Sequence, residues 1–264
     1  MKHFFTIFGN PVAHSKSPLM HNYAFRDLGI DACYGRWLLE EGSQLKETFL
    51  SLGLKGANIT VPHKEAAFAA CDVLDPFAQK VGAVNTIVER EGKLHGYNTD
   101  APGFLKAIET FNARTVLFIG AGGTAQSTAV ILRGAGYTVT ILNRSTPRLE
   151  RFSQQGFETA TWDTFVPRNY DLIVNMTSAG LRDDSLPAPR ELIEALFRKT
   201  RAAVDVIYGK ETPFLTLAKT YDLPTKDGTD MLLYQGAIAC EHFTDGQYRF
   251  DEILPHMQRA FDIR

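Results

Sequence analysis

The sequence predicts an α/β protein organised in two parts. Three observations carry that expectation. Apolar strand-like runs alternate with helically spaced segments almost throughout. A glycine-rich loop joins a buried run to a helix at mid-chain. The last stretch holds two helical segments with no strand between them. At 264 residues the chain is long for one core and fits domains of roughly 100–150 residues.

In chain order, HFFTIFG is an apolar strand. PLMHNYAFRDLG follows with helical spacing at Leu19, Tyr23 and Leu28 and is closed by Gly29. ACYGRWLL reads as a strand, SQLKETFLSL as a helix, GANITV as a short strand broken by Pro62, and KEAAFAACDVL as a helix. VNTIVEREGKLHGYN reads as a hairpin with Glu91-Gly92 at its tip. APGFLKAIETF is a helix that links the two parts. Beyond it RTVLFIG, TVTILNR, DLIVNMT and RAAVDVIY read as buried strands with helices between them, predicting a mainly parallel sheet. The two helices from Thr229 onward have no sheet of their own and are expected to pack back on the first part. The expected division is 1–100, 101–228 and 229–264.

Composition narrows the function. The formal net charge of −2 offers no basic field for a nucleic-acid backbone. No run approaches the ~18 apolar residues of a membrane span. MKHFFTIFGNP is interrupted by Pro11 before signal-peptide length and is read as a strand. Cys33, Cys71 and Cys240 form no CxxC, which argues against a disulfide framework or a thiolate zinc site and fits a reducing cytoplasm. The seven histidines show neither HxxxH nor HExxH spacing, so no metal is expected.

The strongest motif is Gly120-Ala121-Gly122-Gly123-Thr124-Ala125, lying between the run RTVLFIG and a helix. That context fits a dinucleotide loop: Gly120 for the tight turn, Gly122 for close approach of a pyrophosphate, Ala125 where helix meets strand. The helix N-terminus then faces the phosphates. The next strand ends Leu142-Asn143-Arg144-Ser145, with Arg148 a turn later and no carboxylate at the tip. An NAD site places Asp or Glu there for the ribose 2′-OH, whereas a guanidinium binds a 2′-phosphate. The expected cofactor is therefore NADP(H), with a solvated arginine pair as the plain alternative.

Three candidates for chemistry lie in the first part. Lys64 follows Pro62, which suits a first helical position. A cation in a first turn is opposed by the helix dipole, a setting useful for proton transfer, but an exposed lysine is the plain alternative. Asp100 is either a helix cap or a functional carboxylate, and Asn85 either a turn residue or a ligand contact. Spacing alone does not unite them. In HSKSP, Pro18 fits the first helical position and Ser17 the cap. The hydroxyls of Ser15 and Ser17 together with the helix dipole could then hold a carboxylate, with Lys16 facing solvent.

Taken together, GNPVAHSKSPLMHN, GANITVPHK, GAVNT with GYNTD, GAGGTA, NRS, VNMTSAG, DVIYGKETPFL and DGTDMLLYQGA resemble the shikimate dehydrogenases nearly end to end. The resemblance implies an N-terminal α/β substrate domain, a Rossmann domain and final helices returning to the first domain. The implied activity is NADPH-dependent reduction of 3-dehydroshikimate to shikimate in aromatic amino-acid (chorismate) biosynthesis. By resemblance, Lys64 and Asp100 are the catalytic pair. Ser15 and Ser17 bind the substrate carboxylate with Tyr208 nearby, and Thr60, Asn85 and Gln235 contact ring hydroxyls. Gly120 to Ala125 bind the pyrophosphate. Asn143, Arg144, Ser145 and Arg148 bind the adenosine end. Thr177, Val206, Gly228 and Met231 lie along the cofactor. Two departures stand out: NRS replaces the common NRT, and the stretch after Tyr208 is a residue short and lacks a proline. A broader quinate/shikimate dehydrogenase using NAD and a non-catalytic NADPH-binding regulator are the alternatives. A homodimer is compatible with all of these.

Overall fold

A computed structural model of the chain describes residues 2–262. It comprises two compact units. One runs to Gly103 and resumes at Leu233; the other is Phe104–Leu232.

The first unit contains β1 (His3–Gly9), α1 (Ser17–Asp27), β2 (Ala32–Leu38), α2 (Leu45–Ser51), β3 (Gly56–Ile59), α3 (Lys64–Ala70), β4 (Val73–Leu74), α4 (Pro76–Val81), β5 (Thr86–Arg90) and β6 (Lys93–Tyr97). The sheet order is β2-β1-β3-β5-β6-β4. Helical connections make β2, β1 and β3 parallel, while β5 runs antiparallel to β3 and to β6. The sheet is therefore mixed, because the hairpin supplies two antiparallel pairings. Its tip needs positive φ at both central residues, which Glu91 (51°) and Gly92 (76°) adopt. The segment expected as one helix through Leu74 stops at Ala70, and Val73–Leu74 instead pairs with His95–Gly96. Two contacts favour the strand. Asp72 Oδ2 accepts from Leu94 N at 2.9 Å, and the bare Gly96 admits Cys71 Sγ, which would lie 2.6 Å from a Cβ there.

One face of this sheet buries Phe8, Leu45, Phe49, Ile87 and Leu94 as a single cluster. Against Phe5 pack Phe25 of α1 and Phe243, at ring distances of 5.3 and 4.8 Å.

The chain leaves the first unit within α5 (Asp100–Ile108). The second unit then contains β7 (Thr115–Ile119), α6 (Gly123–Gly134), β8 (Thr138–Asn143), α7 (Glu150–Gln154), β9 (Glu158–Thr161), β10 (Leu172–Asn175), α8 (Arg190–Phe197), β11 (Ala203–Asp205), α9 (Pro213–Lys219) and β12 (Thr225–Lys226). The chain returns through α10 (Thr229–Phe243) and ends in α11 (Phe250–Asp262), which packs on α1.

The second sheet is wholly parallel, in the order β12-β11-β10-β7-β8-β9. Its strand order reverses at β7 and β10, the position where doubly wound sheets open for ligands at their carboxyl ends. β9 and β12 were not legible in the sequence. Both are short, polar edge strands without an apolar run.

Asp171 staples the entrance to this sheet. Its carboxylate accepts from the backbone N–H of Arg114 and Thr115 and from Thr115 Oγ1, and Arg201 lies beside it. Those donors hold its carboxyl down from 3.8 to about 2. The native state thus binds fewer protons than the unfolded chain. The stabilisation is complete above about pH 4 and is lost as pH falls toward 2. Asp171→Asn should lower the urea midpoint at pH 7, and its gap from the wild type should close toward pH 2. A gap independent of pH would assign the effect to shape alone.

Candidate active site

In the first unit the site forms where β3, the hairpin strands and α5 end or begin. Lys64 opens α3, and Asp100 opens α5. Lys64 Nζ donates to Asp100 Oδ2 at 2.5 Å, with side-chain exposures of 24% and 12%. Asn98 Oδ1 accepts from Ala101 N, while the Asp100 carboxylate bonds Lys64. Pro62 does not open the helix as expected. It lies in the turn before it, and His63 anchors that turn through Nε2 on Leu39 O at 2.7 Å.

Behind the pair lies a buried polar network. Asn85 Oδ1 accepts from Thr99 N at 2.7 Å, and Asn85 Nδ2 donates to Thr99 Oγ1 at 3.0 Å. Asn58 Nδ2 donates to Thr86 Oγ1, and Tyr34 OH donates to Asn58 Oδ1 at 2.7 Å. His21 stacks on the Tyr34 ring at 4.3 Å. Burial, opposed by Asn58, pushes its imidazole down to about 3, so it is neutral at ordinary pH. Asn58, Thr99 and Tyr34 were not singled out from the sequence. A buried asparagine inside an apolar strand was the available signal for Asn58.

Ser15 and Ser17 are both buried and adjacent, with Ser15 Oγ donating to Ser17 Oγ at 3.2 Å. The helix begins one residue earlier than expected. Lys16 is its cap, Ser17 is the first helical residue, and no side chain caps from Lys16. The Ser17 hydroxyl is therefore not spent on capping, while Ser15 Oγ accepts from Ser17 N at 3.2 Å. Lys16 does not face solvent alone; its Nζ lies 4.6 Å over the Phe261 ring. Arg36 fixes the loop by donating from Nε and Nη2 to Ser15 O at 3.0 and 2.5 Å, a contact no sequence pattern announced. Thr60 lies beside Gly9, where a Cβ would stand 2.3 Å from Thr60 Cγ2. Gln235 is buried on α10, brought close to α5 by Gly103, whose Cβ would lie 2.6 Å from Gln235 N. Tyr208 belongs to the second unit and is half-buried, its phenol pushed up by burial.

In the second unit the glycine loop follows β7 as expected. Gly120 has φ +113°, and a Cβ there would crowd Thr177 Cγ2 at 2.7 Å. A Cβ at Gly122 or Gly123 would meet nothing of the protein within 4 Å. Glycine at these two positions thus keeps space open at the start of α6, which suits a pyrophosphate. Ala121 and Ala125 are buried, and Thr124 is half-buried on the first turn. Asn143, Arg144, Ser145, Arg148 and Thr177 line one cavity of about 510 Å³ with Gly120. Among the described residues neither arginine has a hydrogen-bond or ion-pair partner, and both are exposed. Two free guanidiniums in one cavity wall fit a phosphate dianion. Val206, Gly228 and Met231 line a second, small pocket, and Gly228 is enforced by Val206 O, 2.1 Å from where its Cβ would stand.

The Asn175–Asp205 pair joins β10 to β11 at this edge. Asn175 Nδ2 donates to Asp205 Oδ2 at 2.9 Å, while Asn175 Oδ1 accepts from Thr177 N and Oγ1. Burial raises the Asp205 carboxyl above its ordinary value. A carboxylate within the apolar run AAVDVIY was the signal for this pair.

These features define a protein with one dinucleotide-binding α/β unit and another α/β unit that carries a partly buried lysine–carboxylate site. The family model "Shikimate dehydrogenase substrate binding domain" matches residues 7–87, and "Shikimate / quinate 5-dehydrogenase" matches residues 104–179. A shikimate dehydrogenase (NADP(+)) of Helicobacter hepaticus is 45% identical over 247 residues, covering 93% of this chain and 92% of that one. The structure of the Thermus thermophilus shikimate 5-dehydrogenase in complex with NADP(H) and shikimate is 36% identical, with TM-score 0.84 over 98% of this chain and 99% of that one. That of the Aquifex aeolicus shikimate dehydrogenase is 30% identical, with TM-score 0.89 over 98% and 97%. The chain belongs to the shikimate dehydrogenase family.

Gly103→Ala tests how firmly Gln235 is set. Helix propensity alone favours alanine by about 1 kcal/mol. The backbone of α10 cannot yield as a side chain could, so a net loss of about 1–3 kcal/mol in urea unfolding is expected. A stabilised variant would show that α5 and α10 are free to separate.

Proposed function

We propose that this protein catalyses the reversible NADPH-dependent reduction of 3-dehydroshikimate to shikimate, within aromatic amino-acid biosynthesis in the cytoplasm. The Lys64–Asp100 pair carries the reading, supported by family membership and by the free arginine pair of the second unit. The glycine loop and Asn143, Arg144, Ser145 and Arg148 hold the pyrophosphate and 2′-phosphate ends of the cofactor. Thr177, Val206, Gly228 and Met231 line its nicotinamide end.

NADPH, when bound, supplies the hydride that adds to the ketone carbon. The ketone oxygen gathers negative charge as that bond forms. The Lys64 ammonium stabilises the charge and donates a proton, giving the secondary alcohol and a neutral amine that solvent reprotonates. Asp100 fixes Nζ by a charge-assisted bond and offsets the cost of a half-buried cation. Ser15 and Ser17 bind the substrate carboxylate, and Tyr208 is a further substrate contact by family resemblance. Thr60, Asn85 and Gln235 bind the hydroxyls. In this scheme Asn85 spends its carboxamide oxygen on Thr99 N and contacts substrate through its amide.

Lys64→Ala should lower kcat by roughly 10²–10⁴ and change KM little. A loss below tenfold would remove Lys64 from the proton-transfer role.

A second reading, broader activity on quinate or with NAD, draws on the family model's own name. It also draws on a 26% identical Listeria monocytogenes shikimate 5-dehydrogenase structure in complex with shikimate and NAD. The end of β8 argues against NAD, since it holds arginine and no carboxylate. Assays of shikimate and quinate, each with NADP and NAD, separate the readings. Replacing both Arg144 and Arg148 by alanine should raise KM for NADPH at least tenfold more than for NADH. Equal changes would defeat the 2′-phosphate assignment.

A further inference from the structure

Trp162 is the first residue after β9 and lines the same 510 Å³ cavity as Arg144 and Arg148, together with Leu186 and Pro187. No sequence motif drew attention to it. Strands β8 and β9 are parallel neighbours, with Asn143 in register with Thr161. Trp162 therefore stands at the carboxyl edge of the sheet, one strand outward from the arginine-bearing turn. Ligands of doubly wound sheets lie along that edge.

The indole is half-buried and packs on the apolar cluster beneath the sheet, beside Ala160, Phe165 and Leu186. Among the described residues its buried Nε1 has no hydrogen-bond partner. Phenylalanine or leucine would fill the core side without orphaning an N–H. What indole adds is a broad π face for the cavity. The cavity is thus divided by chemistry. Asn143, Arg144, Ser145 and Arg148 make one part cationic and polar, and Trp162, Leu186 and Pro187 make another apolar. Asp183, also in the lining, is anionic and turns one oxygen to its own loop. Its Oδ1 accepts from Gly180 N, Ser185 N and Ser185 Oγ, and these bonds hold its carboxyl below the ordinary range.

We propose that Trp162 is the wall against which the adenine of NADP(H) packs, making it a determinant of cofactor affinity at the adenosine end. The inference rests on the NADP reading above. A 2′-phosphate on the arginines sets the adenosine within the cavity, and Trp162 offers its flat base the one aromatic face among the described lining residues.

The sequence contains two tryptophans, Trp37 and Trp162, so W37F leaves Trp162 as the sole indole reporter. The ligand probe is 2′,5′-ADP, which carries adenine and 2′-phosphate but no nicotinamide. Saturating W37F with it should quench the emission, and reduced nicotinamide mononucleotide should not. Trp162→Ala should weaken 2′,5′-ADP and NADPH about tenfold to a hundredfold, the range for loss of a base–aromatic stack. Its affinity for shikimate and for the mononucleotide should be unchanged. Trp162→Phe, which keeps a ring, should stay within about threefold. Undiminished 2′,5′-ADP affinity in a folded Trp162→Ala protein, an unresponsive W37F emission, or an equal loss for shikimate would each overturn the proposal. Failure of the wild type to bind 2′,5′-ADP would instead overturn the cofactor reading beneath it, and it would be seen before any substitution is made.

Discussion

The first unit depends on one buried carboxamide. Asn85 stands just before β5, and its side chain grips both the N–H and the hydroxyl of Thr99, just beyond β6. That grip fixes the peptide from which α5 starts and hence the origin of Asp100. The cost of burying so many polar atoms is large unless every one is satisfied. Here Asn58, Thr86 and Tyr34 complete the chain of bonds, while among the described residues the buried ring nitrogens of neighbouring His21 have no partner. Lys64 arrives from a different strand end, and its own peptide is held too: Val84 N donates to Lys64 O at 3.1 Å. Hydrogen bonds thus anchor the backbone at or beside both members of the ion pair, whose side chains meet at 2.5 Å.

This explains how much of the site the sequence carried. The glycine loop was legible because its signal is local: a strand, a tight turn and a helix start follow one another without a break. The arginine-bearing turn was legible for the same reason. The ion pair was legible only through resemblance, since two helices, a short strand and a hairpin intervene and Lys64 and Asp100 are 36 positions apart. The cap assignments went wrong by one or two residues. In HSKSP the turn closed on Lys16, and at GYNTD the cap was Asn98 rather than Asp100. Several adjacent residues could have capped, and tertiary demand chose between them. β9 and β12 were illegible for the opposite reason: edge strands of a parallel sheet carry little apolar signal. The mixed first sheet was half legible. The hairpin was visible, but the pairing of β5 against β3 is a long-range choice that no local pattern encodes.

In the proposed function the two units hold anions by different physics. The second presents two exposed guanidiniums, unpaired among the described residues, which suits a dianionic phosphate that must be told apart from a neutral hydroxyl. The first presents neutral hydroxyls at the start of an eleven-residue helix, and the arginine beside them is spent on a carbonyl. Arg36 bonds Ser15 O twice and so orients the loop instead of meeting a ligand. Neutral donors cost less to desolvate than a guanidinium, which suits the monoanionic carboxylate of the proposed substrate. The stretch HSKSP thus behaves as a helix start whose Ser17 hydroxyl is left over, because backbone geometry at Lys16 had already closed the turn. The Ser17 oxygen accepts from Ser15 Oγ, its own hydrogen stays available for the proposed binding role, and Arg36 from β2 fixes the Ser15 peptide beside it.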